Sequence, residues 1–385
     1  MMYRPLACLF LACTLVCGAD AQPQAAFPLW DGQESIEHYA KRTNLPPAKA
    51  LDLGNGVKLE LLLIPAGKFI MGTPEPQPVD EDGFHKKIVL GKAVLAAGGG
   101  ILLVLICTAI LRTIRKKTRF QYSLRRFMAM IFALSLAVLG GMHWWFSAKA
   151  LSQAQAEYSA ALASFKEAED SEKPAHEVTL TTPFYMAKFL TTQEQYQQVM
   201  GTNPSWFKGP KLPVEQVSWD EPQEFCKKVT ERTAGVSPAL TKAGGTPAVR
   251  LPTEAEWEYA CRAGTTTAYY TGDAEADLGR AAWYWANSKL TTHPVGQKEP
   301  NALGLYDMHG NVWEWCADWY GAYAAGAVTD PKGAADGATR VLRGGSWSHV
   351  PSHCPCARRY HFYPGFRSAH FGFRVVVGCV VSRTP

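Results

Sequence analysis

Four residues in one short stretch, His349, His353, Cys354 and Cys356, gather imidazoles and thiols within eight positions. Thiolates are soft donors suited to copper(I) and zinc, and imidazole binds the same ions. The spacing fits no common zinc motif. A cysteine of an exported domain is equally a disulfide partner or a packed side chain. Six cysteines lie in the C-terminal part of the chain, Cys226, Cys261, Cys316, Cys354, Cys356 and Cys379, an even number that allows fifteen pairings. Connectivity therefore stays open. The remaining Ser, His and Asp residues form no hydrolase motif.

The export expectation comes from the start of the chain. Arg4 precedes an apolar run from Leu6 to Val16, and Ala19-Asp20-Ala21 gives the small-x-small pattern of a signal peptide over 1–21, cleaved before Gln22. Two further apolar stretches, 88–111 and 127–146, are each long enough to cross a hydrocarbon core about 30 Å thick. Between them, residues 112–126 carry Arg112, Arg115, Lys116, Lys117, Arg119, Arg125 and Arg126 and no acidic residue. The positive-inside rule places that loop in the cytoplasm and both flanks outside. This topology accounts for much of the net charge of +5, which is thus no sign of nucleic-acid binding. The expected location is the membrane, with the main domain extracytoplasmic.

The elements that must position the chemistry are short. Residues 22–53 read as a linker or arm, and Val57-Lys58-Leu59-Glu60-Leu61 alternates as a strand, opening a domain over 54–75. Residues 147–173 form an Ala- and Glu-rich helical linker after the membrane hairpin, and the domain resumes over 174–380. Capping boxes are expected at Thr191 with Glu194, Ser218 with Glu221, and Thr253 with Glu256. Beyond residue 265 helical periodicity fades, and glycines and aromatics scatter through turn-like sequence. The fold class is α+β, low in regular structure, with two transmembrane helices added.

Seven blocks in order carry a resemblance. They are Pro65-Ala66-Gly67-x-Phe69-x-Met71-Gly72, the segment from Phe184-Tyr185 to Tyr196, Val214 to Trp219, Arg250 to Ala260, Gly304 to Trp315, Arg343-Gly344-Gly345-Ser346-Trp347, and Gly372-Phe373-Arg374. Over 54–75 and 174–377 the chain resembles the formylglycine-generating enzymes, or sulfatase-modifying factors. That resemblance implies an irregular domain related to the C-type-lectin fold, with the membrane hairpin inserted between its first strands and the rest. An even number of spans returns the chain to the side it left.

In the catalytic members a substrate cysteine is oxidised to formylglycine by O2, with copper(I) held by two cysteines five positions apart. Carried onto this sequence, those positions are His349 and Cys354, so one thiolate is replaced by an imidazole. Ser346 and Trp315 match positions lining the family active site. Asn311, Glu314 and the Val312 carbonyl match a calcium site, and Asn287 with the Ser288 carbonyl match part of a second; hard oxygens on a tight turn suit calcium. The plainer role for Asn311 and Glu314 is to pin the turn by hydrogen bonds. The family partners of Cys226 and Cys261 fall on Val375 and Arg359, so neither family bridge is expected.

Two functions follow. One is an oxidase acting on an exported, sulfatase-like protein or peptide, with calcium and copper as its ions. The other is a non-catalytic binding or scaffolding module for an envelope partner, presenting the loops around 265–280, 320–338 and 349–366.

Overall fold

The computed structural model describes residues 27–73, 171–233 and 248–379. The proposed signal peptide, both proposed membrane spans and the basic loop between them lie outside these residues, as does most of the helical linker. No helix among the described residues is long and apolar enough to cross a membrane.

Helix α1 (Ile36–Thr43) leads into a hairpin of β1 (Ala48–Gly54) and β2 (Val57–Ile64), followed by β3 (Gly67–Met71). After the inserted segment come β4 (His176–Leu180), β5 (Phe184–Ala187), α2 (Gln193–Met200), α3 (Asp220–Thr233), β6 (Val249–Arg250), α4 (Glu254–Arg262) and α5 (Glu275–Ala281). The last part holds β7 (Trp313–Trp319), β8 (Val328–Thr329), β9 (Arg340–Arg343), a 3-10 turn (Pro351–His353), β10 (Arg359–Phe362), β11 (Phe371–Gly372) and β12 (Val376–Gly378). Three sheets result, with strand orders β1-β2-β5-β12-β6, β10-β9-β7-β11 and β3-β4-β8. The arm over 22–53 is in part structured, because α1 and β1 fall within it.

Residues on either side of the insertion share two sheets. β2 pairs with β5, Leu63 opposite Tyr185, and β3 pairs with β4, Phe69 opposite Val178. The chain leaves and re-enters at one place: Thr73 N–H donates to the Glu172 carbonyl at 3.1 Å, and its hydroxyl to the Glu172 carboxylate at 2.5 Å. Any inserted segment therefore starts and ends at adjacent points.

α4 is the central beam. Thr253 caps it with Glu256 in a reciprocal box, and all nine of its residues are buried. Buried charge must be paired to be tolerated. Glu258 meets Arg343 and Arg262, and Glu254 meets Arg359 at 2.7 Å, so the helix is clamped to β9 and β10. That clamp fixes the end of β9, where the Gly344-Gly345-Ser346 turn begins. Trp257, Trp313 and Trp315 are fully buried and fill the space between helix and sheets.

Candidate functional site

The turn after β9 assembles the histidines. Gly344 and Gly345 both have positive φ, 98° and 82°. Glycine reaches that region without strain. A side chain at Gly345 would also place its Cβ 2.5 Å from the Cys354 sulfur, so the thiol's close approach requires glycine there. Ser346, fully buried, then lies 2.6 Å from His349 Nδ1, and the His349 backbone closes the turn by donating to the Ser346 carbonyl at 3.0 Å. His353 and His370 flank His349, with ring centroids at 5.2 and 5.7 Å.

Burial sets the protonation of this cluster. Desolvation, helped by the neighbouring histidines and Arg358, pushes His349 down to about 3. Burial and Arg358 push His353 down to about 4, and burial lowers His370. All three rings are neutral at physiological pH. His349 is hydrogen-bonded to the Ser346 and Ser348 hydroxyls, with no carboxylate among the described residues bonded to it to orient it as a general base.

The copper reading meets this geometry poorly. Cys354 is fully buried, its sulfur lies 3.9 Å from the Val350 carbonyl, and burial pushes its thiol up to about 12. A thiol so placed resists forming the thiolate that copper(I) needs. Cys356, two positions on, faces the other way, toward Cys261 and His309. The four-residue set His349, His353, Cys354 and Cys356 does not converge. Nor does Trp315 stand at the histidines: its indole donates to the Val217 carbonyl at 3.1 Å and its ring packs edge-on against Phe371. The tryptophan against His349 is Trp313, at 5.5 Å, which alternation along β7 puts on the same side.

Four of the five expected calcium donors, all but the Val312 carbonyl, are also spent on the protein. Glu314 is fully buried and holds Arg374 in a two-pronged ion pair at 2.6 and 2.9 Å. The Asn311 amide accepts from His293 N–H at 3.1 Å and donates to the His293 carbonyl at 3.0 Å. Asn287 accepts from Tyr284 N–H and donates to the Ala282 carbonyl, each at 2.9 Å. The Ser288 carbonyl accepts from His293 Nε2 at 2.7 Å. Val312 sits between Asn311 and the buried Trp313 with its side chain in the interior. These residues pin turns to one another and do not fit as a calcium cage, so no step is assigned to calcium.

Sequence reasoning passed over three features. Trp347 stacks on His370 at 4.7 Å and meets Phe207 edge-on at 5.4 Å, tying two distant loops to the turn. Five of the seven large apolar side chains that are exposed among the described residues, Trp206, Trp285, Leu290, Tyr363 and Phe366, stand on loops linked to this turn or its neighbours. Trp206 precedes Phe207, Trp285 N–H donates to the His349 carbonyl at 2.9 Å, and Leu290 N–H donates to Ser288 Oγ, which itself donates to the Trp347 carbonyl. Phe366 packs on Phe371, next to His370, and Tyr363 accepts from Phe366 N–H through its carbonyl. The third feature is a buried trio: among the described residues the one set of three metal-type donors lying within 4.8 Å of one another is Cys261, His309 and Cys356. His309 belongs to the Gly304–Trp315 block, just before the calcium-matched Asn311-Val312-Trp313-Glu314, and stands 47 positions from Cys356, so spacing gives no signal.

Comparison with known proteins places the chain. The family described as sulfatase-modifying factor enzyme 1-like domain matches residues 153–379. A protein of Paenibacillus barcinonensis named chaperone protein LppX is 33% identical over 208 residues, covering 44% of this chain and 71% of the relative. The formylglycine-generating enzyme of Streptomyces coelicolor is 38% identical over 184 residues, covering 43% of this chain and 52% of the relative. The match thus spans about half the length of that enzyme. Among solved structures, Treponema denticola variable protein 1 superposes with TM-score 0.56 at 25% identity over 86% of this chain and 99% of its own. PvdO from Pseudomonas aeruginosa, at TM-score 0.54 and 20% identity with the same coverage, shares the fold.

Proposed function

Because the chain belongs to the sulfatase-modifying factor enzyme 1-like family, we propose that it uses the family domain as a membrane-tethered, externally facing recognition module that binds an exported protein segment. The observation that carries this reading is the set of exposed apolar side chains on the loops linked to the Trp347 turn. Large exposed apolar groups on loops tied to one rigid turn mark a protein-binding surface more than a solvated one. Trp206 is 72% exposed and Tyr363 65% exposed, so both have much surface to bury on a partner. The tether rests on the two apolar stretches and the basic loop between them, and on the adjacency of Thr73 and Glu172 where the insertion leaves and returns. The name of the Paenibacillus relative, a chaperone, agrees with a protein ligand.

Oxidation of a peptide cysteine is the competing role, and it would need a second soft donor beside Cys354. His349 supplies a neutral imidazole held by Ser346, and the Cys354 thiol is enclosed. No step is therefore routed through copper.

The test is selection of displayed random peptides on the full chain in lipid nanodiscs. Enriched peptides should lose about tenfold in affinity, ~1.4 kcal/mol, for Trp206→Ala or Trp285→Ala. Cys354→Ser should leave binding unchanged. Conversion of a Cys-x-Pro-x-Arg peptide to formylglycine, abolished by Cys354→Ser, would overturn the reading in favour of an oxidase.

A further inference from the structure

Behind the histidine turn, three buried donors meet. Cys261 from α4, His309 from the loop before β7 and Cys356 from the segment before β10 are each fully enclosed. The two sulfurs are 3.6 Å apart, and His309 Nε2 lies 4.0 Å from Cys261 Sγ and 3.9 Å from Cys356 Sγ. These sides form a nearly equilateral triangle. The point equidistant from its corners is about 2.2 Å from each, close to the ~2.3 Å and ~2.0 Å of metal–thiolate and metal–imidazole bonds.

We propose that Cys261, His309 and Cys356 form a binding site for a soft closed-shell cation, copper(I) or zinc(II). Two thiolates and one imidazole are the donor set that such ions select. A disulfide between the same cysteines would need the sulfurs at ~2.05 Å and would give His309 no part. The equal approach of the imidazole to both sulfurs is what a shared ion explains. His309 is held in place by the Tyr270 ring stacked at 4.7 Å, while Tyr270 N–H lies 3.2 Å from Nε2. Coordination replaces that one hydrogen bond. Metal binding needs both sulfurs as thiolates, displacing any thiol proton, and joins three segments distant in sequence, α4, the 308–312 loop and the turn before β10. The site is separate from the exposed apolar side chains and does not rest on their function.

The experiment uses the full chain, reduced and freed of metal under anaerobic conditions, then titrated with copper(I) against a chromophoric chelator and, separately, with zinc(II). One equivalent of one or both ions should bind and raise the melting temperature. The arm that binds more tightly identifies the ion. Cys354→Ser should keep the equivalent; Cys261→Ala and Cys356→Ala should lose it, and His309→Ala should weaken it at least tenfold. X-ray absorption on the loaded wild-type protein supplies a reading that needs no variant, and should show two sulfur neighbours and an imidazole nitrogen. Absence of stoichiometric binding, a first shell without sulfur, or a Cys261–Cys356 disulfide in protein isolated from its native compartment would each overturn the proposal.

Discussion

The Glu314 carboxylate illustrates how far a single side chain can be read from sequence. Its position in Asn311-Val312-Trp313-Glu314 was legible, and so was the choice between ion ligand and turn pin. Deciding between them needed the residue that folding brings alongside, Arg374, 60 positions on. A buried carboxylate paired in this way is already compensated. Calcium chelation should therefore leave the melting temperature unchanged. Arg374→Met should instead lower stability by about 3–5 kcal/mol, because it strands the Glu314 charge in the interior. A chelator-induced fall in melting temperature, together with tolerance of Arg374→Met in thermal denaturation, would restore the calcium reading. Cys261 makes the same point in the other direction. Its expected family partner fell on Arg359, whereas that arginine pairs with Glu254 and the cysteine faces Cys356.

Among the elements, helices were legible where their caps are local. Thr253 with Glu256 sits as the sequence suggested, starting α4. The box at α2 is displaced by one residue: Thr192 is the cap, with Gln195 as its partner, while Thr191 is wholly buried with its hydroxyl unpaired. Two threonines in a row offer the same chemistry, and the choice is made by backbone hydrogen bonds, since Thr191 N–H donates to the Phe373 carbonyl and its carbonyl accepts from Val214 N–H. At α3 the Glu221 carboxylate does accept from Ser218 N–H at 2.8 Å, although the helix itself starts at Asp220. Substitution separates the two threonines. Thr192→Ala and Thr253→Ala should each lower stability by about 1 kcal/mol in denaturant unfolding. Thr191→Val, which removes an unpaired hydroxyl and keeps the shape, should be neutral or slightly stabilising. A larger loss for Thr191→Val than for Thr192→Ala would move the cap back. Beyond residue 265 little was legible, because short strands such as β8 and β11 are defined by partners remote in the chain and not by any local period.

At the scale of the whole molecule, the order of the family blocks carried the architecture, and the antiparallel pairing of β3 with β4 across the insertion shows why: the split halves complete one another's sheets. What no local pattern could disclose is how burial redistributes charge. Two groups of ionisable side chains oppose each other. Burial raises Glu215 to about 7, and burial with nearby Glu254 raises Asp318 to about 7, so the folded protein binds protons at these sites that the unfolded chain has released. Their contribution to stability falls as pH rises from about 4.5 to about 7. His349 and His353 are pushed to about 3 and about 4, so the unfolded chain binds protons that the folded one does not, and their contribution rises with pH up to about 6.5. Between about pH 5 and 6 the two pairs oppose one another nearly proton for proton. Other buried carboxyls, Glu172, Asp307 and Glu314, are also raised, which makes the difference between variant and parent the quantity to measure. His353→Gln removes one opposing proton and should tilt the stability–pH slope downward by ~1.4 kcal/mol per pH unit in that window. Asp318→Asn should tilt it upward by a similar amount. Unfolding free energies from urea melts at closely spaced pH values give both slopes, and parallel curves for either variant and the parent would show that its group titrates alike in the folded and unfolded chain.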